Sequence, residues 1–253
     1  MKINAQLYSL RTVCDTPENT RNTFHRLRDI GYEGVQLSGI CPLEADYLAE
    51  ISREYSLPVG CTHRPFDEII TNTARSIDYH KAIGCDTIGL GAMPLEYQKS
   101  YEGIKAFKEK LTEPIKMIRD AGLRFAYHNH AFEFESVDGV MIYDFLINEM
   151  TDMDFIHDVY WSTYAGADPV KYIRLFAESG RMKHIHFKDM KELPKGPICA
   201  CGDGAIDFAL LASCCKEVGI NEIYVEQDNA PDFPNPIEQM ERSYKHLNPI
   251  IRK

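Results

Sequence analysis

Along the chain, short apolar runs alternate with longer segments whose apolar positions recur at helical spacing. The runs at 2–9, 33–38, 58–63, 85–91, 123–130, 153–159, 183–188 and 222–227 read as strands. Between and after them, helical patterns are predicted at about 16–30, 43–56, 66–83, 97–121, 139–149, 168–179, 205–218 and 235–247. Eight strand–helix units result. Thr16-Pro17-Glu18 has the form of an N-cap followed by proline in the first helical turn. Gly31, Gly84, Gly122, Gly180 and Gly219 each follow a helical run, where a C-cap residue takes positive φ.

Strand–helix alternation argues for a parallel sheet with right-handed crossovers. Several strands read as apolar runs, as expected when helices cover the outer face and side chains fill the interior. An open doubly wound sheet would carry a glycine-rich turn after its first strand, where this chain has YSLRTVCDT. Eight even units close more naturally into a (β/α)8 barrel, which takes about 250 residues. With no internal linker, one domain over residues 1–253 is the expectation.

Composition narrows the function. At 44% hydrophobic and 26% charged residues the chain is an ordinary globular one, and its formal charge of −10 argues against nucleic-acid or anionic-membrane partners. No apolar stretch approaches the roughly 20 residues needed to cross a bilayer. MKINAQLYSL reads as a first strand rather than a leader, so a cytoplasmic protein is expected. The eight cysteines form no C-x-x-C pair and read as free thiols, with Cys199 and Cys201 the pair to watch.

Chemistry collects at the ends of the later strands. FAYHNHAFEF carries His128, His130 and Glu133; DFIHDVYW carries Asp158; MKHIHFKD carries His184, His186 and Lys188; EIYVEQD carries Glu226. In a parallel barrel all strand C-termini share one rim, so these residues can meet. Glu133, Asp158, His186 and Glu226 together suit one divalent cation, which removes the repulsion between carboxylates. His184, His186 and Lys188 share a parity and face one side of their strand. Each residue also has a structural alternative. Glu133 alternates with Phe132 and Phe134 as a solvated edge would, and Trp161 suits the core.

The order and spacing of LYSLR, GYEGVQLSG, THR, YHNHAFEF, DVYW, HIHFKD, GDGAIDF and EQD resemble the xylose-isomerase-like TIM-barrel superfamily, the sugar phosphate isomerase/epimerase group, over nearly the whole chain. The YHNH and EQD motifs resemble those of inosose dehydratase-like and keto-sugar-acting members. The resemblance implies one metal held by two Glu, one Asp and one His. Asp158, His186 and Glu226 match those positions. The fifth-strand Glu of many relatives falls about where His128 stands. Glu133 is taken as the fourth ligand, with His128 or His130 as substitutes. Mn²⁺ is the expected ion, ahead of Zn²⁺, Co²⁺, Mg²⁺ or Fe²⁺.

The expected substrate is a small sugar, keto-sugar or sugar phosphate, isomerised or epimerised through an enediolate. Glu133 and Glu226 would exchange the proton from opposite sides. The alternative on the same metal site is β-elimination from a keto-sugar, keto-glycoside or inosose. His63, His128, His184 and Lys188 are expected to bind substrate, His130 to orient it or act as acid, and Trp161 and Tyr8 to wall the pocket. A non-catalytic sugar-binding barrel and an endonuclease IV-like repair enzyme rank lower. Relatives often form homo-oligomers.

Overall fold

The computed structural model describes residues 1–253. Eight parallel strands close into a barrel: β1 (Lys2–Gln6), β2 (Val35–Leu37), β3 (Val59–His63), β4 (Thr87–Leu90), β5 (Arg124–His128), β6 (Asp154–Asp158), β7 (Met182–Phe187) and β8 (Glu222–Val225). Each pairs with its successor, and β8 closes on β1 with Lys2 opposite Glu222. Around them run α1 (Pro17–Ile30), α2 (Ala45–Tyr55), α3 (Phe66–Thr71), α4 (Thr73–Ala82), α5 (Tyr101–Asp120), α6 (Ile142–Glu149), α7 (Val159–Tyr164), α8 (Pro169–Glu178), α9 (Phe208–Glu217) and α10 (Pro236–Arg252). The expected barrel is therefore observed.

Strand parity explains where the core and the chemistry go. On β7, Ile185 and Phe187 enter the apolar layer under the helices, as do Ile223 and Val225 on β8. Phe125, Tyr127 and Phe155 do the same on β5 and β6. The alternate residues point inward. Cys61, Ala126 and Ile156 form a small apolar plug inside the barrel. His128 and Asp158 lie two residues beyond Ala126 and Ile156, at the strands' C-terminal ends. A Cβ at Gly60 would collide with the Tyr224 hydroxyl, so glycine makes room for that inward tyrosine.

The predicted caps hold. Thr16 Oγ1 accepts from Asn19 N at 3.1 Å, and Gly31, at φ 116°, ends α1. Differences occur where an element is too short for periodicity to register. Residues 7–9, taken as strand, belong to a 3-10 helix over Leu7–Val13. The single helix predicted at 66–83 breaks at Asn72 into α3 and α4. Helix α7 was not expected; it starts because the Asp158 side chain accepts from Trp161 N. Helix α10 continues past 247 to Arg252, with Pro249 near its end. Two small hairpins, Ser136–Val137 with Val140–Met141 and Asp189–Met190 with Ile198–Cys199, were also missed. All eight cysteines are free, and no helix is long and apolar enough to cross a membrane.

Candidate metal centre and substrate cavity

His128, Asp158, His186 and Glu226 offer one donor atom each, all within 4.8 Å of one another and all from buried residues. Ligands about 2.0–2.2 Å from a transition metal stand up to about 4.4 Å apart across it, so small adjustments bring the four onto one ion. His128 Nε2 lies 3.3 Å from Asp158 Oδ2, and His186 Nδ1 lies 2.9 Å from Glu226 Oε2.

The remote nitrogens test whether this donor set fits a metal. His128 Nδ1 is 3.1 Å from the carbonyl oxygen of Gly91, and His186 Nε2 is 2.7 Å from Gln36 Oε1. Both partners are acceptors, so both remote nitrogens carry hydrogen. In a neutral imidazole the near nitrogen then turns a lone pair toward a carboxylate oxygen. A proton or a metal ion is needed between them. Outer partners of this kind fix the tautomer of metal-ligating histidines, and the residues present fit a divalent ion.

The surrounding charges are tightly packed. Lys188 Nζ is 3.1 Å from Asp158 Oδ2, 2.8 Å from Glu226 Oε2 and 3.1 Å from Asp228 Oδ1. Burial opposes the ammonium, but these carboxylates hold its pKa well above the ordinary lysine value. Burial likewise opposes charge on Asp158 and Glu226, and Lys188 with the neighbouring histidines outweighs it, holding both well below the carboxylate range. Glu226 is engaged at both oxygens, since Gln6 Nε2 also donates to Oε1 at 2.8 Å. Asp228 differs. Burial raises it to about 6 despite Lys188. Lys188 straddles its two oxygens, with hydrogen-bond geometry only toward Oδ2 at 3.2 Å.

Not every predicted residue joins the cluster. Glu133 is turned away: Oε1 accepts from the Tyr127 hydroxyl at 2.6 Å and Oε2 from His130 N at 2.7 Å. Its burial raises its pKa to about 8. It buttresses the end of β5, and His128, expected to bind substrate and named as a substitute ligand, is the residue that stands with Asp158, His186 and Glu226. His184, expected to bind substrate, stands outside the cluster and outside the cavity lining. Two residues before His186, it lies roughly 7 Å deeper in the barrel, with its ring edge on Tyr224 at 4.8 Å. The inward parity was right and the depth was not.

His63, His128, His130, Lys188, Glu226 and Tyr8 do line one cavity of 500 Å³ at the strands' C-terminal rim. Trp161 stands behind them, 5.2 Å from the His130 ring and 5.4 Å from Lys188 Nζ. Several polar atoms here are buried without a partner: His63 Nε2, His130 Nδ1 and Trp161 Nε1. Buried polar atoms left without a partner are uncommon and costly. Sequence reading missed Gln6, Gln36 and Asp228. Asp228 had a signal, because it has the parity of Glu226 in EQD; the glutamines had none.

The family described as xylose isomerase-like TIM barrel matches residues 24–250. An inosose dehydratase of Salmonella agona is 26% identical over 179 residues, 62% of this chain and 55% of that protein. The chain thus spans about half the length of the curated relatives it matches. A crystal structure of a sugar phosphate isomerase/epimerase from Parabacteroides distasonis superposes with a TM-score of 0.82 at 22% identity, covering 99% of this chain and 95% of that one. The IolI protein with a bound zinc atom superposes at 0.76 and 16%, covering 99% and 98%. These two likenesses bear on the fold, and the family match over residues 24–250 carries the assignment: the chain belongs to the xylose isomerase-like TIM barrel family.

Proposed function

We propose that this protein is a divalent-metal-dependent lyase of the dehydratase type, removing a β-oxygen substituent from a keto-polyol. The observation that carries this is the asymmetry of the cavity. An isomerase or epimerase working with two glutamates needs one on each side of the substrate carbon. Only Glu226 lines the cavity, while Glu133 is committed to Tyr127 and His130 N. The inosose dehydratase relatives support the same reading.

A divalent ion held by His128, Asp158, His186 and Glu226 supplies Lewis-acid polarisation of the substrate carbonyl. Asp228, which lines the cavity and whose pKa burial raises to about 6, takes the proton from the carbon beside that carbonyl. It returns the proton to the departing oxygen, so the net change is loss of water or an alcohol. Burial lowers His130 to about 3, and the neutral ring donates a hydrogen bond rather than a proton. Lys188 keeps the carboxylates charged and offers hydrogens to substrate oxygens, while Tyr8 walls the mouth.

The test is turnover of a keto-cyclitol or keto-hexose in D₂O with metal-supplemented protein. Elimination gives the absorbance of a conjugated enone; isomerisation gives a deuterated isomer with no such band. Asp228→Asn should keep bound metal and lower turnover by about a hundredfold or more. Undiminished turnover in that variant removes Asp228 from the mechanism, and a deuterated isomer without enone overturns the lyase assignment.

A further inference from the structure

Three carboxylates at the strands' C-terminal rim share one ammonium. Asp158, Glu226 and Asp228 all pair with Lys188, and no other lysine or arginine pairs with any of them. Which oxygens the ammonium touches matters most. Asp158 Oδ1 accepts from Trp161 N at 3.0 Å, and Glu226 Oε1 accepts from Gln6 Nε2 at 2.8 Å. Asp158 Oδ2 and Glu226 Oε2 are left to face the near ring nitrogens. His128 Nε2 and His186 Nδ1 stand 3.3 and 3.8 Å from Oδ2, and His186 Nδ1 stands 2.9 Å from Oε2. These are the oxygens that an ion among the four residues would take. Lys188 Nζ lies 3.1 Å from the first and 2.8 Å from the second. Its side chain is 1% exposed, with the Trp161 ring 5.4 Å from Nζ, so the charge stays in the site.

We propose that Lys188 is a built-in competitor of the metal ion: its ammonium draws on the two carboxylate oxygens that a divalent ion needs, and it holds the affinity below what the four ligands alone would give. This rests on the metal-site reading above and adds the residue that sets the site's strength. Two forces act in the same direction. An ammonium paired with a carboxylate oxygen makes that oxygen less basic, hence a poorer ligand. A fixed positive charge beside the ion also repels it, and at a buried site salt screens that repulsion little. Asp228 limits the effect, because it gives the ammonium a third partner outside the ligand set.

The sign of the effect sets Lys188 apart from the other partners of the ligands. Gln36 Oε1 and the Gly91 carbonyl face the remote nitrogens of His186 and His128 and fix their tautomers. Losing such a partner usually weakens metal binding by about 10–100-fold. Lys188 pairs with the ligand carboxylates instead, and losing its charge should strengthen binding. An ion whose ligands are partly neutralised keeps more of its own charge, so the weaker affinity leaves a stronger Lewis acid.

The experiment measures metal affinity of wild type, Lys188→Met and Lys188→Gln by competition with a chromogenic chelator, with Zn²⁺ and Mn²⁺ each used alone. It is run at about pH 8, so that protons do not replace the lost ammonium. Both variants should bind each ion at least about tenfold more tightly than wild type. Without metal, both should melt at a lower temperature, because two buried carboxylates lose their counter-charge. The rise in melting temperature on adding metal should exceed that of wild type. Equal or weaker affinity in both variants would overturn the proposal and make Lys188 a supporting partner of the kind Gln36 is. Variants that stay unfolded with metal present would overturn it too, since the ion should then supply the missing charge. No metal bound by wild type would sink the metal-site reading and the proposal with it, a result distinct from normal wild-type binding that the variants leave unchanged.

Discussion

β7 and β8 hold two histidine–carboxylate pairs at different depths of one barrel. In the upper pair, His186 Nδ1 is 2.9 Å from Glu226 Oε2; in the lower, His184 Nδ1 is 3.2 Å from Glu222 Oε1. The lower contact meets the ion-pair distance without hydrogen-bond geometry, and we take it as the weaker of the two. The upper pair is joined by His128, Asp158, Lys188 and Asp228, and it opens on a cavity. Glu222 instead accepts from Asn4 Nδ2 at 3.2 Å, a third of its side chain is exposed, and His184 packs on Tyr224. The same residue types on the same strands make a site only where other strands end beside them.

The largest effect expected from this contrast is a divergence between two conservative substitutions. Glu226→Gln should release the metal and lower turnover by at least about a hundredfold. Glu222→Gln, one layer down, should retain metal stoichiometry and turnover close to wild type. Metal content by mass spectrometry, with kinetics on the same preparations, reads both. Loss of metal from Glu222→Gln would erase the distinction between the layers.

The barrel was legible because its signal is repeated eight times and reinforced by caps such as Thr16 and Gly31. The upper layer was partly legible: Asp158, His186 and Glu226 sit at strand ends, where parity and position both speak. Depth was not legible for His184, because parity tells inward from outward and says nothing of height. Glu133 misled for a related reason. A 3-10 turn over Phe132–Phe134 folds its carboxylate back toward the β5 backbone, and no period of two or 3.6 describes such a turn. Gln36 was invisible, since an amide becomes a ligand's partner only once β2 is brought across the barrel from β7.

That amide gives the next test, intermediate in size. Gln36 Oε1 holds His186 Nε2 at 2.7 Å, whereas His184 has no such partner on either ring nitrogen. Gln36→Leu should free the imidazole to rotate and exchange tautomers. The expected cost is about 10–100-fold in metal affinity, the usual worth of such a partner. Competition with a chromogenic chelator measures it. Unchanged affinity would mean that packing alone orients His186, as it does His184.

The smallest expected effect separates the ligand layer from His80 and His157, buried histidines hydrogen-bonded to Thr62 and Ser76 and to Tyr143 and Ser162. Burial lowers His80 to about 4, despite a helpful contact to Ser76 O, and lowers His157 to about 3. Both are below the unfolded value of about 6.5. The unfolded chain therefore binds these protons first, and acid favours unfolding. Their contribution is fully present above about pH 6.5 and is lost as the pH falls toward 4, by up to about 1.4 kcal/mol per pH unit for each histidine. Denaturant melts of metal-free protein should show that decline, and His80→Gln should make it shallower by one histidine's share. Metal-loaded protein should fall more steeply, because the ligand imidazoles must be unprotonated to hold the ion. Identical slopes with and without metal would mean that the upper layer responds to acid as His80 and His157 do, and the contrast between them would lose its chemical basis.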